Sequence, residues 1–254
     1  MGRYKVAMKS IIGTRAEQQD RAFQVSNNQG AFAIVCDGMG GSECGSAASL
    51  AVVEKFKELY GKKDPLEAFP EFYLKSIDIL DECVYHLRNK NGKRAYAGTT
   101  IVAAVIEHDE LFWLSVGDSR MYILRGDEFV QATRDHNYFF RLNKMLGEKE
   151  IDESQYQIES VKGDALISFV GMGGIEVMDI SKEPFKLIPG DTILLTTDGL
   201  YKALKDEDIK KCLQTTNVET ATDVLVRKAS EIAYRAQDNT TCIVIRYDGD
   251  EDII

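Results

Sequence analysis

The alternation of apolar and polar positions divides the chain into strand-like and helix-like stretches. Residues 4–12 are extended in character, Gly13 turns the chain, and residues 21–26 (Arg-Ala-Phe-Gln-Val-Ser) alternate as a strand does. Residues 27–30 form a turn cluster before Phe32–Val35, an apolar run of buried-strand type. That run ends in Cys36-Asp37, followed by glycines at 38, 40 and 41. Helical spacing then takes over. Ala48, Val52, Val53, Phe56, Leu59 and Tyr60 predict a helix over 43–60, and Tyr73, Ile77, Leu80, Val84 and Leu87 predict a second amphipathic helix. From Ala97 to Thr133 the period returns to strands: Thr99–Glu107, Leu111–Val116, Met121–Arg125 and Glu128–Ala132. Their short connections predict an antiparallel meander. Residues 135–163 are mixed in period and read as a helix followed by a mobile excursion. Ala165–Val170 and Asp191–Thr197 read as strands, 221–236 as a helix, Thr240–Tyr247 as a last strand and 248–254 as a frayed acidic tail. Strands grouped with strands and helices with helices predict the α+β class, with helical layers covering antiparallel sheets.

Composition narrows the function classes. The chain has 254 residues, 44% hydrophobic and 28% charged, and no Pro-, Gly- or Ser-rich linker divides it, so one domain over 1–254 is expected. With 41 acidic against 31 basic residues the net charge is -10, which argues against general nucleic-acid binding. Five cysteines without a C-x-x-C pair suggest neither a disulfide framework nor a thiolate zinc site. No apolar run approaches membrane-spanning length, and the expectation is a soluble cytoplasmic protein with no membrane association.

Four aspartates share one context, at or just past the end of an apolar strand and beside Gly, Asn or Ser. They are Asp37, Asp118, Asp198 and Asp238, with Asp20 just before another strand. Singly, each is ordinary turn chemistry. Together they suit an all-oxygen site for Mg²⁺ or Mn²⁺, because gathered carboxylates repel one another unless cations neutralise them. His86 falls in a helical pattern and His108 in a hairpin turn. No Ser-His-Asp pattern, phosphate-binding glycine loop or H-E-x-x-H motif is present, which leaves metal-assisted hydrolysis.

Seven motifs in order carry a resemblance: Arg15 with Asp20, Asp37-Gly-Met-Gly-Gly41, Gly98-Thr-Thr100, Val116-Gly-Asp-Ser-Arg120, Thr133-Arg-Asp-His-Asn137, Asp198-Gly-Leu200 and Asp238-Asn-Thr240. From about Gly13 to Tyr247 the chain resembles the metal-dependent protein phosphatases of type 2C, in their bacterial branch. The resemblance implies a four-layer αββα sandwich, two antiparallel sheets flanked by pairs of helices, with a flap at about 138–165. It implies two Mn²⁺ or Mg²⁺ ions at one edge and a third, weaker site. Asp37 would bridge both metals, the Gly38 carbonyl would ligate one, and Asp198 and Asp238 would hold the other. Asp118 would join the third site, and Asp20 would act through metal-bound water. Arg15 would grip the substrate phosphate as a bidentate fork. A metal-bridging water or hydroxide would attack phosphorus in phosphoserine or phosphothreonine.

Three positions depart from the family pattern. Gln19 stands where many eukaryotic relatives have Glu. Met39 replaces their proton-donating His, so solvent would protonate the leaving group. The string Ser168-Phe-Val-Gly-Met-Gly-Gly174 lacks an arginine. The expected protein is a monomeric serine/threonine phosphatase acting on proteins phosphorylated by a serine/threonine kinase. The alternatives are a switch phosphatase for a phosphorylated anti-sigma antagonist and a catalytically weak binding module of the same fold. Retention of all the aspartates favours the enzyme.

Overall fold

The computed structural model describes residues 3–41, 44–215, 217–233 and 235–249. One antiparallel sheet runs β1 (Tyr4–Ile11), β12 (Thr240–Tyr247), β11 (Thr192–Thr196), β7 (Arg120–Arg125) and β8 (Glu128–Gln131). The other runs β10 (Phe185–Lys186), β6 (Glu110–Val116), β5 (Ile101–Glu107), β3 (Gly30–Met39) and β2 (Asp20–Ser26). The two-residue strand β4 (Gly98–Thr99) pairs with β3, and β9 (Asp179–Ile180) pairs with β6. Helices α1 (Cys44–Gly61) and α2 (Phe69–Tyr85) cover the second sheet. Helices α6 (Asp206–Leu213) and α7 (Val218–Ile232) cover the first, completing four layers.

The period-2 pattern explains the layering. On β3, Phe32, Ile34 and Cys36 pack against Phe56, Tyr73, Ile77 and Leu80 of the helices, while Ala31, Ala33 and Val35 face the opposite sheet. On β12, Ile243 and Ile245 face that same inter-sheet core, while Cys242 and Val244 meet α7. Continuing each alternation by one step places Asp37 and Thr241 on the inter-sheet face, where the sandwich opens. A functional carboxylate is thus delivered by the same register that builds the core.

Two strand expectations need correction. Residues 97–133 are not one meander: β5 and β6 pair, but β7 joins the other sheet beside β11. Gly117, at φ +101°, redirects the chain there, and a Cβ on it would sit 2.6 Å from the Thr100 side chain. Met121 and Ile123 enter the inter-sheet core while Tyr122 and Leu124 face the helices, so β7 needs covering on both sides. Ala165–Val170 is not a strand either. Its backbone bonds go to different partners, Ile167 N–H to the His136 carbonyl (3.0 Å) and Val170 N–H to the Thr99 carbonyl (2.9 Å), so no continuous ladder forms. Within 135–163, helix α3 (Tyr138–Gly147) is followed by a second helix, α4 (Glu153–Glu159), and a 3-10 turn at Ser160–Lys162. Of the acidic tail, residues 250–254 lie outside the described residues.

Candidate active site

Asp20 and Asp37 are direct cross-strand partners on β2 and β3. The Asp37 backbone is held on both sides, its N–H donating to Thr100 Oγ1 (2.9 Å) and its carbonyl accepting from Thr99 Oγ1 (2.8 Å) and Thr100 N–H (2.9 Å). Asp20 Oδ2 accepts from Thr197 Oγ1 (2.9 Å) and Thr241 Oγ1 (2.8 Å), across the sandwich from the other sheet. Its Oδ1 is buried and has no hydrogen-bond partner among the described residues. At Gly38 an added Cβ would lie 2.1 Å from the Gly45 carbonyl oxygen, so the first turn of α1 rests directly on this backbone.

The other aspartates arrive from loops at the same end. Asp198 opens the short helix α5 (Asp198–Tyr201); its Oδ2 accepts from Lys202 Nζ at 2.6 Å, while its buried Oδ1 has no partner among the described residues. Asp238 precedes β12 and accepts from Arg15 Nη2 at 2.5 Å. Asn239 ties the Arg15 loop in place. Its Oδ1 accepts from Gln19 N–H (2.7 Å), and its Nδ2 donates to the carbonyls of Ile12 (2.8 Å) and Glu17 (3.0 Å). Buried Asp118 has Lys202 Nζ 3.8 Å from its Oδ2, and its carbonyl accepts from the Tyr201 hydroxyl at 2.9 Å. Arg15, Gln19, Asp37, Gly38, Met39 and Asp238 line one cleft of about 550 Å³.

Electrostatics follows from the crowding. Burial pushes the Asp37 carboxyl well above its ordinary range, reinforced by Asp20, Asp198, Asp118 and Asp238. Burial likewise pushes Asp20 up to about 7, against the opposing threonine hydrogen bonds and with Asp198 and Asp238 adding repulsion. Asp118 is pushed up to about 6, again by burial first and Asp198 second. The protein alone therefore favours protonated carboxyls here, and a cation would reverse that preference.

Each predicted residue lies at this end of the sandwich, although they do not form one tight ring. Among the described residues no three His, Cys, Asp or Glu side chains already stand as a metal cluster. Arg15 and Lys202 hold the outer carboxylates instead. The donor set nevertheless fits a hard divalent ion: all oxygen, mutually repelling, with two buried carboxylate oxygens left over on Asp20 and Asp198. Sequence reasoning missed Lys202, whose signal was its position one helical turn after Asp198. It also missed the clamp formed by Thr197 and Thr241, which adjacency in sequence could not reveal.

The sequence model of the family described as Protein phosphatase 2C matches residues 4–139, more than half of the chain, and the chain belongs to that family. It is 27% identical over 237 residues to the serine/threonine phosphatase stp of Listeria monocytogenes, covering 91% of this chain and 90% of the relative. It is 24% identical over 247 residues to protein phosphatase PhpP of Streptococcus pneumoniae, covering 95% and 96%. In structure it is similar to the S. agalactiae serine/threonine phosphatase, with TM-score 0.79 at 25% identity over 96% of this chain and 99% of that one. The catalytic domain of the phosphatase PstP, solved with two manganese ions, shares the fold with TM-score 0.74 at 23% identity, covering 96% and 97%. Family and relatives together put the chain among the protein serine/threonine phosphatases.

Proposed function

We propose that this chain is a single catalytic domain that removes phosphate from phosphoserine and phosphothreonine in proteins. It would use two Mn²⁺ or Mg²⁺ ions held by Asp37, the Gly38 carbonyl, Asp198 and Asp238. The observation that carries the reading is the cross-strand pair Asp20–Asp37 at the mouth of the sandwich, both carboxyls raised in pKa by burial first and by the surrounding aspartates second. Such ions would neutralise the carboxylates of Asp37, Asp198 and Asp238 and would supply the Lewis acidity that favours attack by water on phosphorus. Asp20, locked by Thr197 and Thr241, presents its unpartnered Oδ1 to orient solvent. Arg15 is exposed and, among the described residues, pairs through its guanidinium with Asp238, so its fork could pass to a substrate phosphate once a cation took that carboxylate. Met39 lines the cleft and has no proton to give, so solvent protonates the leaving oxygen.

The substrates are proteins phosphorylated by a serine/threonine kinase, and the protein works as a monomer in the cytoplasm. None of the described helices is long and apolar enough to cross a membrane. The test is Mn²⁺-dependent hydrolysis of p-nitrophenyl phosphate and of matched phosphoserine, phosphothreonine and phosphotyrosine peptides, by wild type and Asp198→Asn. Activity on the first two peptides that collapses in Asp198→Asn supports the reading. Undiminished activity in that variant would refute the ligand assignment, and absence of Mn²⁺-dependent turnover would refute the enzyme.

A further inference from the structure

The Asp118–Asp198 edge already contains a cation. Lys202 leaves the end of α5 one turn after Asp198, which brings its Nζ to 2.6 Å from Asp198 Oδ2 and 3.8 Å from Asp118 Oδ2. Two further contacts hold the backbone from which Lys202 and Asp118 project. The Tyr201 hydroxyl donates to the Asp118 carbonyl at 2.9 Å, pinning the end of α5 to the loop between β6 and β7. The Arg120 guanidinium lies 3.5 Å from the Tyr201 ring centroid while making a two-pronged pair with Asp135 (2.9 and 2.6 Å). The Asp198 carboxylate is divided between two tasks. Oδ2 takes the ammonium, and the buried, unpartnered Oδ1 remains for another donor.

We propose that the Lys202 ammonium is the resident cation between Asp118 and Asp198, so that Asp118 seats a lysine where the resemblance would give it a third metal ion. The inference rests on the two-metal reading above. A divalent ion entering between these carboxylates would meet a positive charge a few ångströms away, and would have to displace it to gain two oxygens. The lysine also leaves Asp198 Oδ1 free, so one carboxylate supports a bound metal on one side and an internal cation on the other. Lys202 is a positioning residue in this scheme: it neutralises and orients Asp198 without touching the substrate.

The test is Mn²⁺ stoichiometry on the full chain by equilibrium dialysis with metal analysis, alongside titration calorimetry, up to millimolar free metal. Wild type should take up two ions per chain, and Asp118→Asn should keep both. Lys202→Asp, which replaces the ammonium by a carboxylate, should bind one ion more than wild type at the same free metal. Thermal melts with and without Mn²⁺ establish that each variant is folded. A third ion in wild type that is lost in Asp118→Asn would overturn the proposal, as would a folded Lys202→Asp with unchanged stoichiometry. Wild type that binds no Mn²⁺ would refute the functional reading itself. Wild type that hydrolyses p-nitrophenyl phosphate with three ions bound would refute only the role of Lys202.

Discussion

Removing divalent ions and raising the pH from about 4 to about 7 is the perturbation to which Asp20 responds most directly. In the fold its proton is held up to about pH 7 against an ordinary 3.8, because burial disfavours the anion and Asp198 and Asp238 repel it. A raised folded pKa means that the native state binds the proton more tightly than the unfolded chain. The associated stability is whole below about pH 4 and is lost as pH climbs through 7. The span from 3.8 to about 7, at about 1.4 kcal/mol per pH unit, amounts to about 4 kcal/mol. Asp118, moved from 3.8 to about 6, acts in the same direction, but both groups feel Asp198 and their effects overlap. Against a typical domain stability of about 5–15 kcal/mol this is a large fraction.

Urea unfolding in chelator should show the midpoint falling across this range at constant m, and saturating Mn²⁺ should abolish or reverse the trend because it favours the ionised carboxylates. Asp20→Asn should make the metal-free profile shallower, leaving the part that Asp37 and Asp118 contribute. The reasoning fails if the chelated wild type has level or rising stability with pH, or if Asp20→Asn keeps the wild-type slope.

Other consequences are checked more simply. Buried Asp81 on α2 accepts from the backbone N–H groups of Gly171 (2.6 Å), Gly173 (3.1 Å) and Gly174 (2.6 Å). Asp81→Ala should cost about 3–5 kcal/mol in urea melts, because bonds to a charged group contribute about 1.5–3 kcal/mol each and do not add fully, while Mn²⁺ affinity stays unchanged. Arg15→Ala should raise KM for p-nitrophenyl phosphate about tenfold, about 1.4 kcal/mol, without lowering Mn²⁺ affinity; a calorimetric loss of metal binding would contradict its assignment to phosphate. Gly38→Ala should destabilise the protein by about 2–3 kcal/mol, since its Cβ would meet backbone at Gly45 and cannot be relieved by a rotamer change. Wild-type stability in that variant would show that the α1 turn is free to move.

The long elements were legible because their cores are regular. Phe32–Val35 and Thr240–Tyr247 are apolar strands sealed on both faces, and the apolar spacings of α1 and α2 fit the helical period. Short pairings such as Asp179–Ile180 with β6 were not legible, because two residues contain no period. The crossing at Gly117 was misread since a short polar turn looks the same whether its strands pair or part, and only the layer in which Met121 is buried decides which occurs. Four aspartates were found as residue types in a repeated context, with Asp20 before another strand, yet their partners were not.

The sequence by itself determined the α+β class and offered the residue types of an oxygen-rich, anionic site, each of which depends on local period or on the chemistry of single residues. The structure decided that Asp37 lies on the inter-sheet face of β3. Only the tertiary structure decided that Asp20 pairs with Asp37, that two threonines from the opposite sheet clamp it, and that Lys202 rather than an open space lies between Asp118 and Asp198. Apart from the step of four positions between Asp198 and Lys202, those relations join residues tens to hundreds of positions apart. They depend on how two twisted sheets and one short helix come together, which no local pattern encodes.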